Sequence, residues 1–184
     1  IKPLVSAFLG GVIFNLANLL LVAAIDIAGL AVAFPIGIGI ALVLGVLVNY
    51  YSFPVGDPTI LFVGVGLVAV AIILDALAYK KMSTSKSNTP MKGIILSLSA
   101  GILMGFFFRF VAGSMIQDYS NPEIGKLTSY TAVFVLSAGI IISNLIWNTY
   151  LMYKPLSGDS VTYKDYFQKG DLKQHSLGIL GGLI

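Results

Sequence analysis

The chain has 184 residues, 57% hydrophobic and 10% charged, with a formal net charge of +3, no cysteine and a mean hydropathy of +0.93. So apolar a composition excludes a soluble domain and a disordered one, and predicts an all-α polytopic transmembrane helical bundle. The missing cysteines exclude disulfides and thiolate metal sites. Eight of the eleven Lys and Arg lie in two loops between apolar runs, so the positive charge sets topology and does not call for nucleic acid.

The hydropathy pattern predicts one transmembrane domain over 1–184, with helices at about 5–25, 30–50, 59–79, 93–116 and 127–153, and a sixth that starts at 175 and runs to 184. The first two dominate. From Ser6 to Tyr51 the only formal charge is Asp26, in a length that crosses a ~30 Å hydrocarbon core twice. Lipid offers no partner to stray backbone groups, so this run is helical with a tight reversal near Asp26–Gly29. Residue 1 is Ile and the run from His175 stops after about two turns, so the chain reads as an internal piece of a longer protein.

Orientation follows from the loops. Lys80, Lys81, Lys86 and Lys92 share the polar connector 80–92, and Lys154, Lys164, Lys169 and Lys173 share the loop 154–174. The opposite end carries Lys126 in its later loop and no Lys or Arg between Tyr51 and Pro58. The positive-inside rule then places both lysine-rich loops in the cytoplasm. The stretch Val161–Gln174, with Tyr163, Tyr166 and Phe167 among lysines, reads either as an interfacial segment or as a solvated connector.

Several polar or helix-breaking residues within the apolar runs are candidates for a solute pathway. Asn15 and Asn18 share one face of the first segment, and an amide in hydrocarbon needs a partner helix, water or solute. Helix-to-helix bonding and solute contact both fit; on the second reading, Asn15→Leu abolishes transport while leaving expression intact. In the second segment Pro35 precedes Gly37 and Gly39 and frees the carbonyl of Ala31, which predicts a kink or break serving as a hinge, or a packing kink.

Arg109, within the run Phe106 to Phe110, lies about 7 Å outward of the midpoint of 93–116 at ~1.5 Å per residue. Gly101, Gly105 and Gly113 at fourfold spacing are expected to bring it into the bundle interior, with snorkelling to headgroups as the alternative. Asn144 and Asn148, with Trp147 beside them, offer two amides and an indole for a planar ring, or an interfacial belt with a packing amide. Asp26 and Asp75, near helix ends, are candidates for proton coupling; Lys80 and Lys81 make a local ion pair the other use of Asp75. His175 is read as a surface residue. No HExxH, GxSxG, P-loop or metal-spaced carboxylate cluster occurs, so neither an enzyme nor a cofactor or metal is expected.

The runs Gly10–Asn18, Ala33–Gly39 and Asn49-Tyr50, together with Tyr130–Phe134 and Asn148–Pro155, resemble the bacterial relatives of ureide permeases. Those belong to the drug/metabolite transporter superfamily, near its glucose and rhamnose uptake branch. The resemblance implies ten helices in two inverted halves, of which this chain supplies the third to the seventh and the opening of the eighth. It also implies termini in the cytoplasm, which puts the 80–92 connector outside, opposite to the lysine count. The reading from residues and resemblance together is a proton-coupled permease of a small polar solute in a bacterial inner membrane, acting by alternating access. A drug/metabolite exporter and a non-transporting membrane scaffold are the alternatives. Expected partners are the solute and the bilayer, with a homodimer left open.

Overall fold

In a computed structural model, which describes residues 1–82 and 91–183, the chain is helical almost throughout. The elements are α1 (Lys2–Ala28), α2 (Leu30–Ser52), α3 (Pro58–Met82), α4 (Met91–Ala112), α5 (Ser129–Tyr153), α6 (Tyr163–Lys169) and α7 (Leu172–Leu183). The first five are each long and apolar enough to cross a bilayer. The chain is a helical membrane protein. Part of the connector expected over 80–92 lies outside the described residues, as do the side chains of Lys80 and Lys81 and hence their expected pairing with Asp75.

The helices differ from the expected ones mainly at their ends. The reversal after α1 needs one residue, Gly29, whose φ of 81° lies in the left-handed region and whose carbonyl accepts from Val32 and Ala33 to start α2. α3 begins one residue early because Asp57 caps it: its Oδ1 accepts from the backbone N–H of Thr59 at 2.7 Å and of Ile60 at 3.2 Å. Those two bonds, Ile60's first, hold the Asp57 carboxyl below its usual range. α4 stops at Ala112, four residues short of the expected end, where Ser114 Oγ donates to the Val111 carbonyl and the Ser114 N–H repeats that bond. The loop 113–128 is tied down by a bridge between Met115 and Leu127 and by Lys126 Nζ, which donates to Gly113 O at 2.6 Å.

The polar stretch after α5 is not featureless. Thr162 and Asp165 form a capping box that starts α6, and Lys169 pairs with Asp165 at 2.8 Å. Lys169 first, then Thr162, hold the Asp165 carboxyl well below the ordinary carboxylate range. α6 is moored to the end of α5 by Tyr163, which hydrogen-bonds Thr149, and by Val161, whose N–H donates to Met152 O. α7 begins at Leu172, three residues before the expected start, and His175 lies against the ring of Tyr166 with centroids 5.0 Å apart.

Packing is organised around α4. It lies in the groove between α1 and α2 and contacts both along their length, while α5 flanks α1 and α3 packs on α2. Small residues make this possible, as expected where van der Waals fit rather than hydrophobic exclusion joins helices in lipid. A Cβ on Gly101 would come 2.5 Å from the Gly37 carbonyl oxygen, and one on Gly105 would meet Leu44 Cβ at 2.7 Å. Gly93 sits against Ala28 and Gly10 against Val111, so α1 and α4 touch near both ends.

Candidate functional site

The residues expected to contact solute do not converge on one place. Asn15 is 7% exposed, and its Nδ2 donates to Ser143 Oγ at 3.0 Å across the α1–α5 interface. Ser143 in turn donates to Ile140 O at 3.1 Å. Gly11 and Gly139 bring the two backbones together just before this bond: a Cβ on Gly11 would overlap the Leu136 carbonyl, and one on Gly139 the Phe8 carbonyl. About one turn further along the same helices lie Asn18 and Trp147. Asn18 Nδ2 donates to Phe14 O at 3.1 Å within its own helix, and Trp147 Nε1 is buried without a partner among the described residues. Asn144 is half-buried and Asn148 exposed, on the flank of α5 turned away from that bond.

Arg109 is exposed in the last turn of α4, and among the described residues it makes no ion pair. The expectation that a glycine row brings it into the bundle interior is not met. The helix ends three residues later, Gly113 falls outside it, and only Gly101 and Gly105 face α2. The expected break at Pro35 is also absent, since α2 is continuous from Leu30 to Ser52. Pro35 stands in its second turn and withholds the bond that the Ala31 carbonyl would accept, without interrupting the helix. Gly37 and Gly39 are buried packing positions, against Leu21 of α1 and Ile72 of α3. Asp26 is exposed at the end of α1.

For Asn15→Leu the geometry gives an expected loss of about 0.6 to 1.7 kcal/mol in stability, the worth of a bond between membrane helices. Denaturant titration in mixed micelles measures it. A variant as stable as the parent means that the Asn15–Ser143 bond contributes nothing.

A cleft of about 650 Å³, open along its outer side, lies instead between α2 and α4, at the end of the bundle opposite the lysine-rich loops. Asn49 and Tyr50 of α2, Phe53 just past its end, Phe107 and Phe108 of α4, and Gln117 beyond that helix line the polar and aromatic part. Asn49 Nδ2 donates to Gly45 O at 2.7 Å, which fixes the amide's orientation, while its Oδ1 is buried and has no partner among the described residues. An unmet buried acceptor costs roughly 1 to 3 kcal/mol, so a donor from a bound molecule is worth more here than elsewhere, and because the oxygen has no exposed surface that donor reaches it only as the wall moves aside. The rings are braced: Phe107 meets Phe14 at a 51° tilt with centroids 4.8 Å apart, and Tyr50 meets Phe62 edge-on at 5.5 Å. Gln117 Nε2 bonds Ala112 O at 2.6 Å, which holds the residue at the rim.

A second cavity, of about 470 Å³, lies between α2 and α3 towards the lysine-rich end, lined by Leu30, Phe34, Pro35, Ile38, Gly39, Ile72 and Asp75. Thus two of the three expected hinge residues and one of the two expected coupling carboxylates share a wall. Asn49 was legible as a polar residue inside an apolar run, but nothing local separates it from Asn15 or Asn18; only the packing decides which amide meets a helix and which a cavity. No family model, curated protein or solved structure matches the chain.

Proposed function

We propose that the chain is the membrane-embedded part of a secondary transporter that moves a small polar solute by alternating access across a bacterial inner membrane. The observation that carries this reading is the open cleft of about 650 Å³, where aromatic rings flank an amide with a buried, unmet acceptor. A space of that size suits one drug-sized molecule or smaller. Flat apolar faces with a few placed polar groups suit a ureide, a nucleobase-like heterocycle or a sugar, each of which presents N–H or O–H donors at its edge. Coupling to protons falls to Asp75, the carboxylate in a cavity wall.

One observation favours a membrane scaffold instead. The Asn15–Ser143 bond and the glycine contacts of α1, α2, α4 and α5 serve helix packing alone. Thermal unfolding of the detergent-solubilised chain against a panel of allantoin, nucleobases and monosaccharides separates the two. A binder at a hundred times its Kd adds about 2.7 kcal/mol to the folded state, and at least one member of the panel is expected to raise Tm accordingly. A panel that leaves Tm unmoved favours the scaffold.

A further inference from the structure

The two cavities are not independent features, because Ile38 lines both. Phe34 and Ile38 of α2 face the smaller cavity; Ile38, Leu42, Val46 and Asn49 face the larger. These positions follow one another at three- and four-residue steps, so the cavities lie end to end along a single stripe of α2. One reaches Leu30 and Asp75 near the lysine-rich loops, the other Phe53 and Gln117 at the opposite end. Between Phe34 and Asn49 the stripe spans about 22 Å at ~1.5 Å per residue, most of a hydrocarbon core. The one side chain common to both spaces stands near the cytoplasmic third of that length.

The neighbours of Ile38 suit it to a barrier. Gly37 sits against Leu21 and the Ser97 carbonyl, and Gly39 against Ile72, so α1, α3 and α4 all approach α2 closely on either side of this residue. A β-branched side chain in a helix has essentially one rotamer, so Ile38 cannot swing aside by itself and moves only with its backbone. Just before it, Pro35 has removed one of α2's hydrogen bonds, which lowers the resistance to bending there.

We propose that the two cavities are the halves of one passage along α2, closed at Ile38, and that Asp75 gives its half a preference for cations. This rests on the transport reading above and adds to it the position of the barrier and the charge selectivity of one entrance. The chain lacks cysteine, so single cysteines report on it directly. The test uses the full chain in oriented proteoliposomes carrying Phe34→Cys or Val46→Cys, with charged, membrane-impermeant methanethiosulfonates applied to one face at a time.

Phe34→Cys is expected to react only from the lysine-rich face and Val46→Cys only from the other. Adding Ile38→Ala opens each to both faces, whereas Ile38→Val keeps the sidedness. A cationic reagent is expected to label Phe34→Cys about tenfold faster than an anionic one, an advantage that Asp75→Asn removes. Reaction of the parent cysteines from both faces, unchanged sidedness in Ile38→Ala, or labelling only by a lipid-soluble maleimide overturns the passage; equal rates for the two charges overturn the role of Asp75. If the solute panel fails while the sidedness and its loss in Ile38→Ala hold, the choice of solute is at fault and the barrier stands.

Discussion

Gly11→Ala is expected to destabilise the bundle by about 3 kcal/mol, at the upper end of what overpacking costs. The added methyl would overlap the Leu136 carbonyl and come 3.0 Å from the Ile140 N–H nitrogen. Both are helix backbone, so neither yields by a rotamer change, and α5 must move off α1 as a body. That movement also stretches the Asn15–Ser143 bond just beyond it, so the two losses come together. Denaturant titration in mixed micelles reads the loss, with Gly64→Ala and Gly66→Ala of α3 as controls. A Cβ at either control position meets open space, and the better helix propensity of alanine is worth up to ~1 kcal/mol in the opposite direction. A Gly11→Ala protein that unfolds where the parent does would mean that α1 and α5 do not meet in this register.

Asn49→Leu is expected to separate binding from stability. Uptake, or ligand-induced stabilisation where a panel member binds, falls by about tenfold or more, because a solute donor loses a buried acceptor worth roughly 1 to 3 kcal/mol. The folded state loses little, since the substitution removes a buried carbonyl oxygen that has no partner. The bond it gives up, Nδ2 to Gly45 O, runs within one helix. Thermal unfolding with and without solute measures both quantities on one sample. A variant that keeps full solute response would move the binding site away from the α2–α4 cavity.

The helices were legible because the apolar runs are long and the bilayer allows their backbone no other regular form. Their ends were less so: the side chains that set them, Asp57, Thr128, Thr162 and Ser114, stand in ordinary polar stretches where many residues could cap. Arg109 illustrates the consequence. Reading the fourth helix as far as Ile116 buried the guanidinium by about a turn more than the helix ending at Ala112 does. The amides illustrate the other limit. Asn15, Asn18 and Asn49 are chemically identical and equally conspicuous in an apolar run, yet one bonds Ser143 across an interface, one bonds its own helix, and one lines a cavity with an oxygen to spare. Which is which depends on residues far along the chain, Ser143 for Asn15 and Phe107, Phe108 and Gln117 for Asn49, beyond the reach of spacing rules. Pro35 and Gly39, singled out as hinge residues, and Asp75, singled out as a coupling carboxylate, fall on one wall because α3 folds back along α2.

The wedging of α4 between α1 and α2 has a consequence for biosynthesis. The ribosome delivers α1 and α2 as a hairpin some forty residues before α4 begins, and during that interval the glycine-lined seams of the pair lack the helix that packs into them. The hairpin is therefore expected to lock only once the fourth span has followed it into the membrane. A nascent chain arrested before Gly93 should be cleaved readily by a membrane protease, and one released after Ala112 should resist.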